Sequence, residues 1–396
     1  MRRIAEGTLL ALVVLVPHAP MESVHAFPTS RGALSAATQQ ETVHPVDAYR
    51  DRPEGIDVAV VARDDTAEDG TALRLTTTFD EAHLAGTIGT LDGPPPTLIG
   101  ELVGVLIDDR DLVYFLDAAY KEIRAFTHEG RFLSAAGRSG SGPGEFREPR
   151  ALGFAPGGEE LLVGNLGRQF HRFHFVDAEL RHVETERVEE FTPTAMCLVG
   201  DRLLLHGPVY QGDEAFHFLS AERTIERSFG AVYRSPHAMI NYLLSEGRVA
   251  CSAAGDMFAF APSSVLGEAR GYDADGVLRW ITQIEPFRPV GLVDDGSGYR
   301  VTLPSEGFHR VESLTLVPPD RILLQVGLAV PAPEEAGSRT PPEVAELHSY
   351  LLDIHTGAGV YLGDRLPMVV AMNERYAVTS MLVGERAPGG PAAPRS

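Results

Sequence analysis

The chain has 396 residues, with 34 Lys plus Arg against 55 Asp plus Glu, a formal charge of −21, and 22% charged and 44% hydrophobic residues. That apolar share supplies a large core and excludes a wholly disordered chain. The acidic balance, with a pI near 5.1, excludes a duplex nucleic-acid binder, which needs a basic face to displace counterions.

Met1-Arg2-Arg3 is a basic start. The apolar stretch Leu9 to Val16 that follows falls short of the about 20 residues a membrane-spanning helix needs, so it reads as a secretory signal. Val24-His25-Ala26 is the favoured cleavage point, with Ser35-Ala36-Ala37 a second candidate. Residues 1–26 are therefore assigned to a signal peptide. Their removal takes away Arg2, Arg3, Glu6 and Glu22, so the mature chain keeps its charge of −21. No later segment is apolar enough to span a bilayer, and the protein is expected to be secreted or periplasmic. Residues 27–55, with Pro28, Pro45 and Pro53, read as a linker, and the Pro/Gly-rich residues 387–396 as a disordered tail.

Between these ends, residues 56–386 carry short runs of Val, Leu, Phe, Tyr and Ile separated by Gly, Asp or Pro turns, without helical periodicity. Such spacing predicts an all-β sandwich, barrel or propeller. Leu73 to Phe79 and His83 to Ile88 come first and are available as outer strands for an incomplete last unit. An internal repeat follows. Leu112-Val113-Tyr114-Phe115-Leu116-Asp117, Ile123-Arg124-Ala125-Phe126 and Arg131-Phe132-Leu133 are echoed by Glu160-Leu161-Leu162-Val163-Gly164-Asn165 and Phe170-His171-Arg172-Phe173. One unit spans about 45 residues and four strands, the size of a propeller blade.

The join between the two copies, Gly142-Pro143-Gly144-Glu145-Phe146 with Pro149, resembles the GxGPGEFxxP linker of NHL-type six-bladed β-propellers, whose second strand ends in an aspartate as at Asp117. The resemblance covers residues 100 to 180, and Asn165 departs from it. It implies a six-bladed ring of four-stranded blades closed by strands from both termini, similar to exported bacterial propellers of unknown function. Inner strands are then expected at Glu101–Ile107, Arg150–Ala155, Thr194–Val199, Arg248–Ser252, Arg310–Leu316 and Met368–Met372. Pro331 to Glu343 and a short helix at His237 to Ser245 are candidate insertions.

No catalytic signature is present. Lys121, the single lysine, is followed by Glu122, which removes GKS and GKT loops, and Gly137-Arg138-Ser139-Gly140-Ser141 is not GxSxG. HExxH is absent. His171 and His174 lie three apart on a strand and so point to opposite faces, which prevents shared metal ligation. Asp273-Ala274-Asp275-Gly276 begins like a calcium loop but reads as a hairpin. Cys197 and Cys251 fall on inner strands, where buried free thiols are the expected state and one disulfide is the alternative.

In a four-stranded blade, the entry to the inner strand and the turn after the second strand open on the same face. That face gathers Asp117, Asn165, Glu101, Arg150, Arg248 and Arg310, with Thr194 and Met368 at the remaining starts. Three guanidiniums at one channel mouth suit a carboxylate or phosphate. The competing reading is that they pair with Glu101, Glu145, Glu148 or Glu306. The sequence therefore points to a non-catalytic binding or scaffolding module for a protein or small anionic ligand, without nucleic acid or cofactor. The alternative is a metal-dependent propeller hydrolase or lyase of the lactonase kind, for which calcium would be needed, although Glu101 alone makes a poor cage. Oligomeric state is not legible.

Overall fold

The computed structural model describes residues 10–16, 46, 55–56, 58–64, 75–77, 79–90, 93–187, 192–207, 214–220, 224–230, 235, 237–294, 296, 298–331 and 342–382. Three early strands, β1 (Leu10–Val16), β2 (Val58–Ala62) and β3 (His83–Ile88), precede the repeating part. The first blade is β4 (Leu102–Ile107), β5 (Leu112–Asp117), β6 (Glu122–Thr127) and β7 (Phe132–Ala136). The second is β8 (Pro149–Phe154), β9 (Glu160–Asn165), β10 (Gln169–Val176) and β11 (Glu179–Arg187). The third is β12 (Ala195–Val199), β13 (Arg202–His206), β14 (Phe216–Leu219) and β15 (Ile225–Phe229).

A helix at Ala238–Ser245 leads into the fourth blade, β16 (Gly247–Cys251), β17 (Met257–Pro262), β18 (Glu268–Asp273) and β19 (Leu278–Glu285). A separate hairpin, β20 (Gly291–Asp294) with β21 (Tyr299–Thr302), leads into the fifth, β22 (Phe308–Val317), β23 (Arg321–Val330), β24 (Glu343–Asp353) and β25 (Gly359–Gly363). The chain ends in β26 (Met368–Met372) and β27 (Ala377–Leu382).

Each blade is an antiparallel meander, as expected where short alternating runs are joined by tight turns. The first strands of the five blades follow one another in contact around an axis, and β26 stands between β22 and β4. The fold is thus an all-β propeller with five complete blades, which corrects the expected six. The remaining sector is a composite sheet of order β26-β27-β1-β3, drawn from both ends of the chain. The count differs because only β26 and β27 follow the fifth blade, so no local meander can form there.

His83–Ile88 takes an outer position as expected, whereas residues 75–77 and 79–80 are helical and pack Leu75 and Phe79 against Leu323, Leu351 and Val369. Leu10–Val16, the apolar part of the expected signal peptide, pairs antiparallel with both β27 and β3. β2 adds a fifth, parallel strand to the fourth blade, Val58–Ala62 lying opposite Ile281–Glu285. The tail at 387–396 and residues 332–341 of the Pro-rich loop lie outside the described residues, as does the 27–55 linker apart from 46 and 55.

The apolar core lies between neighbouring sectors, because each sheet buries both faces. Tyr114, Leu116, Leu152 and Phe173 join the first and second blades. Phe216, Phe218, Phe258 and Phe260 join the third and fourth, and Trp280, Ile284, Tyr350 and Leu352 the fourth and fifth. Ile88, Phe115 and Val378 join the composite sheet to the first blade. Each fully buried Phe contributes about 1.5–3 kcal/mol.

Trp280 also donates its indole N–H to the Ile354 carbonyl at 2.8 Å, fixing the fourth blade to the fifth. Cys197 on β12 and Cys251 on β16 form a disulfide between the first strands of adjacent blades, their Cα atoms 6.1 Å apart. This corrects the expectation of free thiols: both cysteines face the same interblade seam, which strand position alone did not reveal.

Candidate binding face at the channel mouth

The predicted geometry of the mouth is held by two side chains. Asp117, at the end of β5, accepts N–H groups of Gly100 at 2.8 Å and Glu101 at 3.1 Å, then those of Ala119 at 3.0 Å and Tyr120 at 3.1 Å. One buried carboxylate therefore ties the entry of the inner strand to the turn after the second. Asn165, at the end of β9, accepts from Arg147 at 3.2 Å and Glu148 at 2.9 Å and donates to Gln169 at 3.1 Å. Both side chains are fully buried, so they shape the face without presenting themselves to a ligand. Glu101 is exposed.

The three arginines are not equivalent. Arg150 is paired with Glu148, two residues before it and on the same side of the chain. Arg310 grips Glu312 with two bonds, Nε at 2.9 Å and Nη2 at 3.1 Å. Arg248, on the neighbouring inner strand β16, has no hydrogen bond or ion pair among the described residues, although Glu312, Arg310 and Glu246 act on it electrostatically. Arg248 is exposed to water, and enough protein lies around its guanidinium to desolvate it in part. Desolvation pushes its guanidinium below the ordinary value, and the charge of Arg310 adds to this, while Glu312 and Glu246 oppose it. The same burial pushes the Glu246 carboxyl up, against the pull of Arg248 and Arg310.

The structure thus brings Arg248 and Arg310 together and leaves Arg150 with a partner on its own entry loop. Glu246 and Glu312 belong to the site and were not singled out. Their signal was the two-residue spacing in Glu246-x-Arg248 and Arg310-x-Glu312. Beside them lies a second unforeseen network. His309 faces donors at both ring nitrogens, the Arg288 N–H at 2.7 Å and Arg63 Nη2 at 3.1 Å. Burial, and then the positive charge of Arg63, lower its pKa to about 4.

Gln325 was also missed. Its oxygen accepts the Val369 N–H at 2.7 Å and the Ser313 hydroxyl at 2.9 Å, and its nitrogen donates to Ser349 at 3.0 Å and Pro367 O at 2.9 Å. It fastens the fifth blade to β26. His171 is buried against Thr185 and Asn165. Asp273 closes the predicted hairpin by accepting N–H groups of Asp275 and Val277, each at 2.9 Å. Among the described residues no group of three or more His, Cys, Asp or Glu is placed to hold a metal ion, and no helix is long and apolar enough to cross a membrane.

No family model matches the chain, and no curated protein matches it. Similar solved structures include a Bacteroides fragilis protein named as a putative exported protein, 12% identical over 77% of this chain and 80% of that one, with a TM-score of 0.48. Sqt1 of Chaetomium thermophilum, solved bound to the N-terminus of ribosomal protein L10, is 12% identical over 61% of this chain and 58% of that one, with a TM-score of 0.37. The β-propeller domain of Cps50 (Swd1) from Myceliophteria thermophila is 10% identical over 70% of this chain and 96% of that one, with a TM-score of 0.36. At these scores the propeller assignment rests on the strand topology of the chain itself.

Proposed function

We propose that the protein is an exported, non-catalytic binding module, in which the composite sheet serves as the sixth sector of a closed ring and the channel mouth takes an anion at Arg248. The anion is a small carboxylate or phosphate, or such a group carried by a protein. The observation that carries this reading is the open guanidinium of Arg248, accessible to solvent and without a hydrogen-bonded partner among the described residues, while Arg310 is committed to Glu312. A rigid donor fork in a partly desolvated channel is worth about 1.5–3 kcal/mol to a charged acceptor. Export is supported by the basic and then apolar start of the chain.

Calorimetric titration of the full chain with inorganic phosphate and with citrate tests this reading. Arg248→Ala is expected to weaken binding at least about tenfold, which corresponds to about 1.4 kcal/mol, whereas Arg150→Ala leaves it unchanged. Equal affinity of wild type and Arg248→Ala for both anions overturns the proposal. Calcium retained stoichiometrically through dialysis would instead favour a metal-dependent hydrolase.

A further inference from the structure

The composite sheet contains a position filled by the segment that the export reading proposed above would remove. β1 lies third in the order β26-β27-β1-β3, with Leu10 to Leu15 opposite Leu382 to Ala377 on one side. On the other side Leu12, Val13 and Val14 stand opposite Ile88, Thr87 and Gly86, and after a register shift Leu15 and Val16 oppose Leu84 and His83. The same residues form the apolar part of the signal-like start. Cleavage after Ala26 would therefore remove a middle strand and leave an edge strand beyond it.

Both walls of that position are anchored without β1. On the β3 side, a Cβ added at Gly86 would lie 2.2 Å from the Glu129 carbonyl carbon, and one at Gly130 would lie 2.3 Å from the Thr87 oxygen. Backbone thus rests directly on backbone between β3 and the β6–β7 turn. On the other side, Asn373, between β26 and β27, donates to Asp108 O at 3.1 Å and Asp111 Oδ1 at 2.9 Å, and the Tyr376 ring stacks on His128 with centroids 4.5 Å apart. Gln325 holds β26 from the fifth blade. With β1 gone, β27 and β3 would face each other across one strand's width, each showing a row of unpaired N–H and C=O groups above the buried Val378 and Ile88.

We infer that the space between β27 and β3 is a strand-acceptor site, occupied in the full chain by Leu10–Val16 and open, once the leader is removed, to one extended apolar segment of a partner protein. The occupant is specified by the walls. It runs antiparallel to both neighbours, spans about six or seven residues, carries apolar side chains, and has no proline in the paired stretch, because both edges need its backbone groups. The inference rests on the export reading only for how the site is emptied, and a cut made in vitro separates the two.

The test uses the full chain with a specific protease site inserted between Ala26 and Phe27. After cleavage, the N-terminal fragment is washed out in mild denaturant, and hydrogen exchange is followed at amides of Ala377–Leu382 and His83–Ile88. These amides are expected to exchange at least about tenfold faster once the site is empty. A synthetic peptide of residues 9–16 with a lysine tail should restore protection, and the same peptide carrying Val13→Pro should not. Amides of β8 to β11 serve as the folding control. The inference fails if the wall amides stay protected after the fragment leaves, or if the proline peptide protects equally. It also fails if the β8–β11 amides lose protection together with the walls, because β1 would then be a folding requirement and not a removable occupant.

Discussion

Asp117 and Asn165 occupy the same place one blade apart, each ending a second strand and each accepting two backbone N–H groups from the segment that enters its own first strand. The carboxylate takes two further N–H groups from the turn that follows it. The repeat seen in the sequence is therefore a repeat of one hydrogen-bonded corner, and its chemistry sets the shape of the mouth.

Replacing Asp117 with Ala should cost about 3 kcal/mol, because it strands buried donors. Asp117→Asn, which keeps the arrangement Asn165 already uses, should cost about 1 kcal/mol. Urea unfolding midpoints at pH 7 check the ranking. Equal losses would show that the corner is held by the turn alone.

Reduction of Cys197–Cys251, which spans 54 residues, should lower stability by about 4 kcal/mol if chain entropy dominates. The Cys197→Ser/Cys251→Ser double variant should reproduce the loss and be insensitive to reductant. A double variant whose unfolding midpoint matches the oxidised protein would contradict this.

Stability should fall as pH drops from about 6.5 toward 4. His171, His206, His217 and His309 are each held near 4 in the fold, chiefly by burial. The unfolded chain takes up these protons near pH 6.5 and the folded chain only near 4, so protons favour unfolding between those limits. Each histidine adds a slope of up to about 1.4 kcal/mol per pH unit. Unfolding midpoints measured between pH 7 and 5 isolate the effect from the carboxylates, and His309→Gln should reduce the slope by about one quarter. A flat profile in that window would show that these imidazoles are already protonated or accessible in the fold.

Gly271→Ala should destabilise by about 1–3 kcal/mol. A Cβ there would lie 2.0 Å from the Trp280 indole nitrogen. The ring cannot retreat without breaking its bond to Ile354. Fluorescence of Trp280, the single tryptophan, should shift in the folded variant, and an unchanged spectrum with an unchanged midpoint would refute the packing argument.

The first strands of the blades were readable to within two residues, because alternation and turn residues are local signals. Asp117 and Asn165 were legible as a repeat, although their burial was not. Arg248 and Arg310 stand near each other on neighbouring inner strands, and the sequence could not show that Arg150 would settle on Glu148 while Arg248 stayed open, since that depends on which inner strands are neighbours. The disulfide, the Gln325 bridge and the place of Leu10–Val16 were hidden for the same reason. Each joins segments far apart in the chain, and periodicity carries no information about which distant strands meet. The expected strand at Leu73 to Phe79 was misread at residues 75–77 and 79, because an apolar run that short suits a helical turn as well as a strand.

The covalent tie between β12 and β16 lies across the axis from the place where β26 and β27 meet the beginning of the chain. Heat or pulling would accordingly spare the β12–β16 seam and part the circle at one that only hydrogen bonds and side-chain packing hold. The opened molecule would be a curved arc of one chain, so resealing would be a first-order event independent of protein concentration.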